Sequence, residues 1–425
     1  MDIVTRRKFL AASGVVGAAA LTAGAGAYTW DDIMATAGGG HGGHGDDSIG
    51  LSATAAPVGA ARNLVLVTLY GGNDGLATVI PYADGKYQDL RGGLAYTAEQ
   101  VLRLDGTTGL NPALTGLKAL YDAKQLAIVR GVGYPKPDLS HFRSMDIWQT
   151  ADPAKPATSG WLGRWLDEAG GDPRLAISLE PVLPPVLAGL KSAGAAVPIG
   201  GISVPGSIMR TDLTALAKAQ AGEPALQARA AGCFNDLLSV DKLIKAAKKS
   251  ARDNRSGATS TGGARSPLRS QLDVVAQCIE AGVATRVYSV SLGGFDFHAG
   301  EKGAQEVVLK LVDSAVSSFL TRMNTTARGR NTVIVVYSEF GRRVQGNDSG
   351  GTDHGTASDV LIGGAPVAGG RLLGEQPSLR DLDDGDLKYH IDFRDIYASV
   401  LAEVLHTDPG AVLSGWKTSL QGLFV

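Results

Sequence analysis

The chain has little cysteine, no excess of charge of either sign and, past its first residues, no long apolar run. Two cysteines in 425 residues, Cys233 and Cys278, exclude a disulfide-rich scaffold. Their spacing matches no metal-binding motif. In an oxidising compartment they could pair, or each could stay a buried thiol. Lys and Arg number 40 against 42 Asp and Glu. That balance lacks the basic footprint of a nucleic-acid-binding protein, so no nucleic-acid partner is expected. After residue 27 every stretch of about 18 residues contains a charge or a helix breaker, and no further membrane span is expected. With 44% hydrophobic and 19% charged residues the bulk of the chain is globular. Its length suffices for one large domain or two ordinary ones.

What is present begins with an export signal. Residues Thr5-Arg6-Arg7-Lys8-Phe9-Leu10 precede a weakly apolar run of Ala, Gly and Val that ends at Ala25-Gly26-Ala27. A basic start, an apolar middle and a small-residue cleavage site are the three parts of a signal peptide. The Arg6-Arg7 pair followed by Phe9-Leu10 resembles the twin-arginine type, which implies the twin-arginine translocase as a transient partner, export of a folded chain and a periplasmic or extracellular location. Residues 1–27 remove three basic and one acidic side chain, leaving 37 basic against 41 acidic. Residues 28–60 read as a flexible leader in which Gly38 to Asp47 is rich in Gly and contains His41 and His44.

The ordered part is expected over 61–425. Continuous apolar runs at Asn63–Leu69, Leu126–Val132, Arg286–Leu292, Thr332–Ser338 and Asp359–Ile362 read as buried parallel strands. Helical patterns fall between them, at Pro112–Asp122, Leu272–Ala281, Gln305–Met323 and Phe393–Leu405. Buried strands alternating with helices predict an α/β domain with a mostly parallel sheet. A less regular stretch near 150–285, with Pro- and Gly-rich turns, reads as an insertion.

Ligands of such sheets bind beyond the carboxyl ends of the strands. The residues following each strand are therefore the candidates. Asp74 ends the first run in Gly71-Gly72-Asn73-Asp74-Gly75, either as a ligand or as part of an ordinary turn. Ser140 stands at a helix start with His141 and Arg143 just after it, either as a nucleophile or as a plain helix cap. Asp296 and His298, two apart in an extended segment, point to the same side and form half of a divalent-metal site or a hydrogen-bonded pair. Glu339 ends another strand, and Asp353-His354 lie in a Gly-flanked loop before the Asp359 run. Acidic residues and histidines gathered at one sheet edge point to a metal site. His390 and His406, in or near the last helix, read as structural.

The blocks Leu69-Tyr70-Gly71-Gly72-Asn73-Asp74-Gly75, Leu139-Ser140-His141-Phe142-Arg143-Ser144, Gly294-Phe295-Asp296-Phe297-His298, Tyr337-Ser338-Glu339-Phe340-Gly341-Arg342 and Gly351-Thr352-Asp353-His354-Gly355 resemble an exported bacterial family known as domain of unknown function 1501. That family in turn resembles the alkaline-phosphatase and sulfatase superfamily. The resemblance implies a three-layer α/β/α sandwich and a Ser or Thr nucleophile between two divalent metals. Carried over, Ser140 matches the nucleophile and Asp74 the first aspartate ligand. Asp296, His298 and His354, with Asp353 beside them, would form one metal site; Asp74, Ser140 and Glu339 would form a second with oxygen ligands only. Alternatively, Asp353-His354 is itself the Asp-His pair of the superfamily. Phe340 stands where a metal-binding histidine belongs. An all-oxygen site suits Ca²⁺, Mg²⁺ or Mn²⁺, whereas the histidine site also suits Zn²⁺. One or two metals are expected. Arg143 or Arg342 would clamp an anion. No Cys or Ser precedes X-Pro-X-Arg at Ser140, which argues against a formylglycine sulfatase.

Three functions follow from the resemblance. The first is a metal-dependent hydrolase of phosphate or sulfate esters, small or glycan-borne, with Ser140, His141, Arg143 and Arg342 as catalytic groups. The second is a non-catalytic metal-containing protein that binds an envelope partner. The third, a phosphoryl transferase, fits an exported chain poorly.

Overall fold

A computed structural model describes residues 62–180, 182–197 and 267–425. The expected signal, its cleavage site, the leader and Cys233 lie outside the described residues. Nine strands form the central sheet, numbered here in chain order: β1 Asn63–Tyr70, β2 Leu126–Gly133, β3 Ala176–Ser178, β4 Ala195–Ala196, β5 Val287–Gly293, β6 Thr332–Ser338, β7 Ser358–Gly363, β8 Arg371–Leu373 and β9 Ile391–Asp392. Their order is β8-β2-β7-β6-β1-β5-β3-β4, with β9 also pairing with β2. All pairings are parallel except those of β7, which runs antiparallel to both β2 and β6. The five expected strands are found within two residues of their predicted ends, but Asp359–Ile362, expected to run parallel, is the antiparallel β7. The 150–285 stretch, as far as it is described, adds β3 and β4 to the sheet itself.

The strands are apolar on both faces because helices cover both. The helices are α1 Gly75–Thr78, α2 Gly85–Arg91, α3 Thr115–Asp122, α4 His141–Thr150, α5 Trp161–Glu168, α6 Pro267–Ala281, α7 Glu301–Met323, α8 Phe393–Glu403 and α9 Pro409–Val412. Side chains alternate along a strand, so Val65, Val67 and Leu69 of β1 pack with α3, α6 and α7, while Leu64 and Leu66 pack with α4, α5 and α8. This is the expected three-layer α/β/α architecture. Burying each such Val or Leu contributes roughly 1.5–3 kcal/mol. Cys278 of α6 is buried, and burial pushes its thiol up to about 12. Among the described residues no helix is long and apolar enough to cross a membrane.

The topology gathers loops at one edge. β1, β2, β5 and β6 all end there, and so does the loop that enters β7, because an antiparallel strand starts where its parallel neighbours stop. The segments Gly71–Asp74, Tyr134–Ser140, Gly294–His298, Glu339–Arg342 and Gly351–His354 therefore converge.

Candidate metal centre

His141, Asp296 and His354 each offer a ligand atom, and these atoms all lie within 4.8 Å of one another. His141 opens α4, Asp296 follows β5 and His354 precedes β7. Two contacts set this geometry. Arg342 and His354 form an isolated antiparallel bridge, which turns the His354 loop back over the edge. Gly351 packs against the backbone of His298 and Ala299 so tightly that an added Cβ would lie 2.3 Å from the His298 carbonyl carbon. Only glycine permits that approach.

The hydrogen bonds outside the cluster orient both imidazoles. Nδ1 of His354 donates to the Leu139 carbonyl at 2.7 Å, leaving Nε2 at 3.2 Å from Asp296 Oδ1. Nδ1 of His141 meets Glu339 Oε1 at 2.8 Å, leaving Nε2 at 3.4 Å from Asp296 Oδ2. That His141 Nε2 is buried and has no hydrogen-bond partner. Two Nε2 atoms thus face one carboxylate while their Nδ1 atoms are held by acceptors, the arrangement that presents imidazole lone pairs to a metal. Burial pushes the Asp296 carboxyl up, but the Arg342 guanidinium, helped by the adjacent imidazoles, outweighs it and holds it down at about 2. Asp296 is therefore an anion at any ordinary pH. Two histidines and a carboxylate fit a divalent cation such as Zn²⁺ or Mn²⁺.

The remaining expected residues are placed differently. His298 sits beside the cluster, with Nδ1 3.1 Å from Asp296 Oδ1 and its ring 4.9 Å from that of His354. The Asp296–His298 pairing is realised, and His298 is in reach as a further donor. Asp353 is exposed and accepts from Asn347, away from the three ligand atoms. Glu339 is buried and fully engaged: it accepts from the Gly71 N–H at 2.8 Å, the Ser338 hydroxyl at 2.9 Å and His141. Its place is behind His141. Asp74 caps α1 by accepting from the Leu76 N–H and is bound bidentately by the Arg91 guanidinium, both groups being buried. Burial alone would raise the Asp74 carboxyl; Arg91 overrides it and lowers it.

The groups expected to be catalytic are Ser140, His141, Arg143 and Arg342. Ser140 is the exposed N-cap of α4, and its hydroxyl makes no capping bond. His141, expected among the catalytic groups, is a ligand candidate. Arg143 is paired with Asp146 one turn along α4. Arg342 is buried and spends its guanidinium on the carbonyls of Gly71, Gly72, Phe295 and Thr352 and on Asp296. It ties four loop segments together and is not free to clamp an anion. Phe340 is buried against both imidazoles, its ring 4.9 Å from each, while the two imidazoles lie 4.3 Å apart.

Sequence reasoning missed Arg91. It lies 17 residues from Asp74, and nothing in the sequence distinguishes a buried arginine from a solvated one. It also missed Glu301, buried at the start of α7, whose carboxylate accepts from the Thr352 hydroxyl at 2.7 Å. Burial and the adjacent Asp74 charge push the Glu301 carboxyl well above the usual range. A cleft of about 470 Å³ opens beside the centre, lined among others by Tyr70, Phe142, Met145, Gln149 and Pro185. Phe142 is 92% exposed.

No curated protein matches the sequence. Similar solved structures include a protein in the alkaline phosphatase superfamily from Vibrio parahaemolyticus, with 12% identity and a TM-score of 0.37 over 91% of this chain and 76% of that one. They also include the lipoteichoic acid synthase LtaP from Listeria monocytogenes, with 9% identity and a TM-score of 0.37 over 85% and 76%. A third is the C-terminal periplasmic domain of EcEptC from Escherichia coli in complex with Zn, with 12% identity and a TM-score of 0.37 over 86% and 89%. A family model matches residues 209–421, and the chain belongs to that family, described as Protein of unknown function (DUF1501).

Proposed function

We propose that the chain is an exported metal-dependent hydrolase of phosphate or sulfate esters. The observation that carries this reading is the His141–Asp296–His354 cluster, with a buried and unpartnered Nε2 aimed into it. A divalent cation held there would lower the pKa of a bound water or of a nearby hydroxyl and neutralise ester oxygens. The chain's own groups prepare that site. Glu339 and the Leu139 carbonyl fix the two imidazoles, and Arg342 fixes Asp296. The cleft beside Phe142 would receive the alcohol part of the ester, and among the described residues no Lys or Arg lines it. Charge neutralisation of the anion would therefore fall to the cation.

The test is metal content, followed by an ester panel. The protein purified without chelator or affinity histidines is expected to carry Zn, Mn, Ca or Mg, to lose it in His354→Ala, and to hydrolyse an aryl phosphate or sulfate only when loaded. Absence of metal from a folded protein would sink the reading. Export would be read by fractionation: Arg6→Lys with Arg7→Lys is expected to retain the protein in the cytoplasm, as a twin-arginine signal requires.

One observation favours a second reading, a non-catalytic metal-containing protein. Both candidate anion-binding arginines are already engaged, and the Ser140 hydroxyl is held by no group of the cluster. On that reading Ser140→Ala leaves every property unchanged. On the first reading it abolishes turnover if serine is the nucleophile.

A further inference from the structure

The resemblance drawn from the sequence implies two metals, and the residues expected to hold the second do not fit one. We infer that this chain builds a mononuclear centre, in which the Arg91 guanidinium takes the place of a second metal against Asp74. The inference rests on the metal reading above and decides its stoichiometry.

Three observations carry it. Both Asp74 oxygens are taken by Arg91, and Oδ1 also accepts the Leu76 N–H, so three of the carboxylate's roughly four acceptor positions are filled by protein donors. The pair is buried, with side-chain exposures of 1% and 2%, and Arg91 is anchored further by donating to the Arg343 carbonyl at 3.1 Å. Breaking a buried pair of this kind leaves an uncompensated charge, so a metal ion entering from solvent would have to displace a fixed cation from a closed site. Second, Glu339, the next expected ligand, has its two oxygens occupied by three protein donors. Third, the Phe340 ring fills the space beside them. It packs on Gly72 so closely that an added Cβ there would lie 2.3 Å from the ring, and it supplies no donor atom. The positive charge, the oxygen ligands and the volume of a second site are all accounted for by protein atoms.

The experiment is the metal stoichiometry of the full chain in a His41→Ala, His44→Ala background, which removes the leader histidines as competitors. Zn and Mn would each be titrated by calorimetry and the bound metal quantified by elemental analysis. One equivalent per chain is expected, lost in His354→Ala and retained in the charge-balanced double variant Asp74→Asn with Arg91→Met. Two equivalents in the parent chain would overturn the inference while leaving the metal reading intact. Loss of metal from a double variant that keeps its parent circular dichroism would also overturn it. No bound metal at all would overturn both. The parent stoichiometry decides the matter even if the double variant does not fold.

Discussion

At the scale of single residues, the centre depends on groups that touch no ligand position. Glu339 holds His141 by one hydrogen bond, and it is the residue that turns Nε2 toward Asp296. Replacing Glu339 by Gln keeps the shape and removes the charge. Partners of this kind typically govern metal affinity about 10- to 100-fold. Glu339→Gln is therefore expected to weaken metal binding by roughly that factor, read by competition with a chromogenic chelator, with little change in the metal-free circular dichroism. An unchanged affinity would remove Glu339 from the site. Phe142 makes the opposite prediction. It is nearly fully exposed on the cleft rim, so Phe142→Ala is expected to raise KM for a bulky aryl ester several-fold, about 1 kcal/mol, the low end of an apolar pocket contact, and to leave metal content unchanged. A KM that does not move would place the alcohol part of the ester elsewhere.

At the scale of elements, most of the site was legible because loop position follows from strand position. A continuous apolar run marks a buried strand and its carboxyl edge, and that brought Asp296 and Glu339 to one edge. The reversal of β7 puts His354 there despite its place before a strand. Roles were less legible than positions. Asp74 and Asp296 look alike in sequence, each an acid after a glycine-rich turn, yet one is closed off by a guanidinium from α2 and the other, besides the Arg342 guanidinium, faces imidazoles. Which partner arrives is decided by packing between segments far apart in the chain, and no local pattern encodes it. His141 shows the same limit: its neighbour Ser140 drew the attention of the motif, while the helix start aims the imidazole, not the hydroxyl, at the carboxylate. Loop docking gives a test at this scale. Gly351→Ala would drive a methyl group into the His298 backbone and separate the two loops that carry Asp296 and His354. The expected result is loss of metal binding from a protein whose sheet, as seen by circular dichroism, persists. Retained binding would mean that the loops reach the centre independently.

At the scale of the whole molecule, acids shifted in opposite directions shape the dependence of stability on pH. Asp74 and Asp296 are held below the ordinary carboxylate range, so their contribution is present above it and is lost as pH falls through that range, toward about 2 for Asp296. Glu301 is pushed upward, first by burial and then by the charge of Asp74, and Asp386 is raised by burial to about 6. For these the native state binds more protons than the unfolded chain. Their contribution is complete below the ordinary carboxylate range and is lost as pH rises, by about 6 for Asp386 and at higher pH for Glu301. Glu301 is the more consequential because it joins the Asp74–Arg91 pair to Thr352, two residues before His354. Glu301→Gln supplies a permanent carbonyl acceptor for Thr352 and amide donors toward Asp74, without a proton to lose. In the presence of a chelator, its melting temperature is expected to match that of the parent near pH 5 and to exceed it increasingly toward pH 9, by at least about 2 °C. A difference that stays flat across that span would mean that Glu301 is ionised in the folded chain, and that the guanidinium of Arg91 neutralises two full charges instead of one.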